Sequence, residues 1–156
     1  IYLDIGITMN LKVLRNKKRG PYVAINTTGN HWDDSSIFLE EAVFAVFAHN
    51  FNESHENFIY YGPTTFKKAE LLILQKALKK FDSELDEIID FETFIKTILT
   101  EPIVDNFLRE LEFKNKVNLK INWNKIRNKL KDINTKLLDL TQSCIKNNKA
   151  LWVLGI

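Results

Sequence analysis

Three histidines and one cysteine offer the most chemistry in this chain: His31, His49, His55 and Cys144. A metal centre built from the histidines with Asp33, Asp34, Glu53 or Glu56 is conceivable. However, no His-Glu-x-x-His or Cys-x-x-Cys spacing occurs, and polar surface or a helix C-cap accounts for these residues more simply. Cys144 would be a nucleophile only if a histidine met it in space, and its apolar surroundings suit a small buried hydrophobe. Ser35-Ser36 lacks the Gly-x-Ser-x-Gly frame of a hydrolase elbow. The five glycines (Gly6, Gly20, Gly29, Gly62, Gly155) stand apart, so neither a phosphate loop nor a dinucleotide loop can be made. No carboxylate lies in the apolar context that raises a pKa for acid–base work. No catalytic set assembles. The chain is expected not to be an enzyme and to need no cofactor or metal.

The elements that position these residues are easier to read. Trp123, Ile126, Leu130, Ile133, Leu137, Leu140 and Cys144 recur in steps of three and four, a seam along one long helix. Asn122 is a suitable N-cap for it, and no Gly or Pro interrupts before Asn147. The seam could zip to a second chain, but ample apolar partners within this chain favour a monomer over a coiled-coil dimer. At the start, Ile1, Leu3, Ile5, Ile7, Met9, Leu11 and Val13 alternate with mostly polar residues, as in one or two half-buried strands. A turn around residues 16–20 and a returning strand from Tyr22 to Asn26 complete a hairpin. The loop of residues 27–34 leads, through an Asp34 or Ser35 cap, into a deeply buried helix from about Ser36 to Asn50. Glu40 and Glu41 then fall in its first turn, where carboxylates suit the dipole.

Phe58-Ile59-Tyr60-Tyr61 reads as a short strand, and Thr64 or Thr65 as the cap of a helix to about Phe81. One or two further helices are expected over residues 83–100, with Ile88, Ile95 and Leu99 inward. Pro102 can start another, carrying Ile103, Phe107, Leu108 and Leu111. Val117, Leu119 and Ile121 alternate as a strand, and residues 150–154 form a last one. The expected fold is therefore α+β: a short, mostly antiparallel sheet packed against several helices, in a single domain.

The chain has 156 residues, 45% of them hydrophobic, with a net charge of +2. That is an ordinary composition for a soluble globular protein. No apolar run reaches the ~18–20 residues that span a bilayer, and residues 1–8 lack the features of a signal peptide. One cysteine suits a reducing compartment, so a cytoplasmic location is expected.

The net charge hides a segregation. From Asp82 to Glu112 there are ten acidic residues against two basic, a balance of −8. From Lys114 to Lys149 there are ten basic against two acidic, a balance of +8. Either the two segments pack together and neutralise each other, or one face stays open to a charged macromolecule. Lys125, Arg127, Lys129, Lys131 and Lys136 could follow phosphates, giving a nucleic-acid-binding module as the alternative function. The pI of 8.6 is modest for that role, however.

A chain without a catalytic set but with separated charge is best read as a binder of another protein. Its strand-rich start (residues 1–13), the loop Asn30-His31-Trp32-Asp33-Asp34 before a buried helix, and the closing Leu151-Trp152-Val153-Leu154-Gly155-Ile156 resemble one family in style. These are the small bacterial immunity proteins of polymorphic toxins, including those of contact-dependent growth inhibition. The resemblance implies an inhibitor that blocks one cognate toxin domain, often a nuclease, without catalysis. An acidic surface would plug a nuclease's basic cleft. Trp32, Asp33, Asp34, Glu53 and Glu56 are the first candidates for that contact, with Trp32 as the apolar anchor. The cluster of Asp82, Glu84, Asp86 and Glu87 is the second.

Overall fold

The computed structural model describes residues 13–14, 22–98 and 123–155. Along the chain these form β1 (Tyr22–Asn26), β2 (Ile37–Glu40), α1 (Glu41–Ser54), β3 (Pro63–Phe66), α2 (Lys68–Glu87), α3 (Phe91–Ile98), α4 (Trp123–Lys146) and β4 (Leu151–Leu154). The fold is α+β, with a four-stranded antiparallel sheet in the order β2-β1-β4-β3. The alternating stretch before Val13, the basic turn at 16–20, and the elements expected between residues 99 and 122 lie outside the described residues. So does the Asn122 cap.

Strand register explains which side chains meet the helices. Val23 and Ile25 of β1 pair with Leu39 and Ile37 of β2, and Ile25 also pairs with Val153 of β4. Val23, Ile25, Leu39, Leu151 and Val153 share one core with Phe66 and the helices. The alternate residues Tyr22, Ala24, Phe38 and Leu154 form a second cluster with Leu14, whose N–H donates to Phe38 O at 2.8 Å. All of β1 is therefore buried, as expected of a strand covered on both sides.

The long helix is as the seam predicts. Trp123, Ile126, Leu130, Ile133, Leu137 and Cys144 are buried, and Leu140 packs at the margin. Their partner is chiefly α2 of the same chain. Trp123 Nε1 donates to Ile88 O at 2.9 Å, closing the far end of α2, and Asn134 Nδ2 donates to Leu78 O at 2.9 Å near mid-helix. Among the described residues, Asn134 Oδ1 is buried without a hydrogen-bond partner. α4 ends in a Schellman motif: Asn148 is left-handed at φ 54°, its N–H reaches Ile145 O, and Lys149 N–H reaches Cys144 O at 2.9 Å.

Three expectations need correction. The helix expected from Ser36 begins only at Glu41, because Ile37–Glu40 pairs with β1 as β2. An apolar run of three does not by itself distinguish a strand from a helix. Residues 58–61 are not a strand. Phe58 and Tyr60 do pack inward on Phe44, at 6.4 and 5.8 Å between centroids. The backbone, however, closes as a turn, with Ile59 N–H donating to Thr64 Oγ1 at 3.0 Å. Thr64 and Thr65 belong to β3 and cap nothing, so α2 starts at Lys68 and runs past Phe81 to Glu87. Asp90 then caps α3, accepting from Thr93 N–H at 2.7 Å.

Among the described residues no helix is long and apolar enough to cross a membrane. The backbone just after β4 leaves little room: a Cβ on Gly155 would run into the Tyr60 carbonyl oxygen. Gly155→Ala is accordingly expected to lower unfolding stability by roughly 2 kcal/mol or more, from forced backbone displacement. A urea melt with an unchanged midpoint would remove this contact as a constraint.

Candidate functional site

The best-defined candidate surface is the loop between β1 and β2. Its scaffold is Asn26, buried at the end of β1 opposite Trp152. Asn26 Oδ1 accepts from the N–H groups of Thr28 (3.2 Å) and Gly29 (2.8 Å). Its Nδ2 donates to Asn30 O and Ser36 Oγ, both at 2.9 Å. Both donor and both acceptor positions of the amide are thus in use. Gly29 takes φ 71° and lies against the Trp152 ring, where a Cβ would approach to 3.0 Å.

Asp33 is the second clamp. Its Oδ1 accepts from Ser35 N–H (2.9 Å) and Ser35 Oγ (2.6 Å), and its Oδ2 from Thr28 Oγ1 (2.7 Å). The Ser35 hydroxyl, then the Thr28 hydroxyl and the Ser35 amide, hold its carboxyl below the usual aspartate range. Trp32 sits between the clamps, its N–H donating to Asn30 Oδ1 at 2.9 Å, with its side chain 74% exposed. Asp34 is exposed beside it. The loop thus presents an indole on an ordered backbone, with the Asp33 carboxylate engaged by the loop's own Thr28 and Ser35.

The other first-choice residues share this end of the sheet. α1 runs back from Glu40 to His55, whose Nε2 meets Thr65 O at 3.1 Å. Thr65 and Asn26 both pair with Trp152. Glu53 in the last turn of α1 and Glu56 just beyond it are exposed. The second cluster is elsewhere: α2 starts at this end and extends ~30 Å, carrying Asp82, Glu84, Asp86 and Glu87 away from Trp32. Lys131 of α4 contacts Asp82 at 3.7 Å and donates a hydrogen bond to Asp86. Arg127 donates to Ile88 O at 3.4 Å. Part of the acidic segment and part of the basic helix therefore meet each other, reducing what either face offers to an outside partner.

Glu53 and Glu84, one from each sequence-selected group, line a single cleft of about 280 Å³ between α1, α2 and the end of α3. His49, Lys80 and Thr97 also line it. Lys80 is 3.8 Å from Glu84, and the His49 ring packs edge-on against Phe81 at 5.1 Å. His55 is held by backbone: Asn57 N–H donates to its Nδ1 at 3.0 Å, leaving Nε2–H to face Thr65 O. Among the described residues no three His, Cys, Asp or Glu are placed to hold a metal ion. Cys144 is buried, and burial raises its thiol pKa, with Lys149 opposing.

Asn26 is the residue that sequence reasoning missed. An asparagine three residues before a glycine at a strand end is an Asx-turn signal, and it lay in plain view. No protein-family model, curated protein or solved structure matches the chain.

The depressed carboxyl of Asp33 sets a direction for pH dependence. Loop order from Asp33 is fully present above the unfolded aspartate pKa of ~3.9 and is lost as pH falls through the lower folded value. Asp33→Ala should remove that protection at neutral pH. Amide exchange at Ser35, followed by NMR, is expected to accelerate in the variant; wild-type protection would mean that Asn26 alone orders the loop.

Proposed function

We propose that this protein binds and neutralises a cognate bacterial toxin domain through protein–protein contact, with the Trp32 loop at the centre of the interface. One observation carries the reading: a large aromatic side chain is held outward on a loop whose backbone is fixed by two separate side-chain clamps. An exposed indole leaves apolar surface in water, which association would remove. Trp is enriched among interface residues that dominate binding energy, and a pre-ordered loop loses less entropy when it docks. Ile89 is more exposed, at 83%, but an isolated aliphatic residue is a weaker anchor.

The charge around Trp32 supports a basic partner surface. Asp34, Glu53 and Glu56 are exposed at the same end and would accelerate encounter with a nuclease cleft lined by Lys and Arg. Asp33 contributes by holding the loop rather than by meeting the partner. Inhibition requires no reaction here: occupying the cleft excludes nucleic acid from it.

The test begins by sequencing the DNA on either side of this reading frame; the C-terminal domain of a large secreted protein found there is then co-expressed with this chain. Growth arrest by that domain should be relieved by the wild-type chain. Trp32→Ala is expected to weaken the purified complex by about 2 kcal/mol, roughly thirtyfold. Asp34→Lys should slow association more at low salt than at high salt. Failure of the wild-type chain to relieve arrest or form a complex would reject the reading.

A further inference from the structure

A second concavity lies where the start of α2 meets the end of α4. It has a volume of about 340 Å³, within the range of small-ligand sites. Its apolar lining includes Leu71, Cys144, Ile145 and Ala150, and Lys67, Lys68, Asn148 and Lys149 complete it. No carboxylate is among the described lining residues. This chemistry is absent from the Trp32 loop and plays no part in the proposed toxin contact.

The placement of two of these lysines is unfavourable for folding alone. Lys67 occupies the N-cap position of α2 without a side-chain cap, and Lys68 is the first helical residue. A helix N-terminus carries about half a positive charge, so anions belong there and cations do not. The first-turn acid that could compensate, Glu70, has Oε1 3.8 Å from His55 Nε2 and does not line the cavity. Lys149 differs: it follows the carboxyl end of α4, where a cation is welcome, and it completes the basic rim from the other side. The three lysines are exposed, so water and salt screen their attraction for an anion, and the apolar wall adds affinity by burying a hydrocarbon tail.

We propose that this cavity binds a small amphiphilic carboxylate, its head among Lys67, Lys68 and Lys149 and its hydrocarbon chain against Leu71, Ile145 and Ala150. Charge selects the head and apolar burial holds the tail, so neither half alone suffices. Binding is reversible and involves no covalent step.

The experiment titrates octanoate into the full chain while following backbone amides by NMR, with octanol and inorganic phosphate as parallel probes. Expected are saturable shifts at Lys68, Leu71, Ile145 and Ala150, with octanol and phosphate each binding at least tenfold more weakly. Lys149→Glu and Lys68→Glu should each weaken octanoate by roughly tenfold, the scale of one lost charge-assisted contact. Both side chains are exposed, and Lys68→Glu should also raise the melting temperature, because it corrects the helix end. Lys149→Ala gives the same comparison without a charge reversal. The proposal is overturned by absence of saturable shifts with octanoate, by equal binding of octanol or phosphate, or by unchanged affinity in the folded lysine variants.

Discussion

Among the described residues, β4 is the strand that joins the two halves of the sheet. β4 lies between β1 and β3, so each flanking strand takes its ladder from a segment that arrives only after α4. Before that, among the described residues, β1 and β2 have beside their own pairing only the single bridge from Leu14 to Phe38, and β3 has no strand partner. The helices feel the same constraint. Phe66, Leu151 and Val153 belong to the apolar core on which α1 and α2 rest, so completing the sheet and burying the helices are one event. Pairings this distant in sequence favour slow, cooperative folding over stepwise assembly.

Electrostatics is arranged around that core rather than within it. Lys131 engages Asp82 and Asp86, so the −8 and +8 segments meet at the α2–α4 contact. These contacts are partly exposed and add little stability, but they give the two helices complementary flanks. Ile88 O accepts from both Trp123 and Arg127, which satisfies a carbonyl at the end of α2. The loop at the opposite end uses uncharged and charged side chains for the same purpose: Asn26 and Asp33 pair backbone groups that a ten-residue connection would otherwise leave to water.

The parts of the fold legible in the sequence are those in which one periodicity runs long enough to exclude the other. α4 and the buried α1 are of this kind, as is β4 with its apolar run ended by Gly155. The segments at 37–40 and 63–66 are too short for that test. They become strands because β1 and β4 offer them edges, which is a tertiary fact. Residues 58–61 mislead for a related reason: alternation reports which side chains face inward, not whether the backbone has a neighbour. At the candidate site, Trp32 and its acidic companions could be selected as a polar loop with one aromatic. That Asp33 would be held within the loop depends on Thr28 and Ser35 closing on it, and the cavity shared by Lys67 and Lys149 depends on the start of α2 lying beside the end of α4.

A seam of regular three-and-four spacing has one weakness: a helix that slides along its neighbour by a whole repeat finds much the same apolar contacts again. Asn134 interrupts that equivalence. Its Nδ2 has a specific acceptor, Leu78 O, while its Oδ1 has no donor among the described residues, so the residue lowers the stability of the correct alignment slightly. Any displaced alignment would strand the whole amide in an apolar interface, a larger penalty. Asn134 therefore acts as a detent: it gives up a little depth in the native minimum and removes its nearest competitors, leaving α4 a single place to stop.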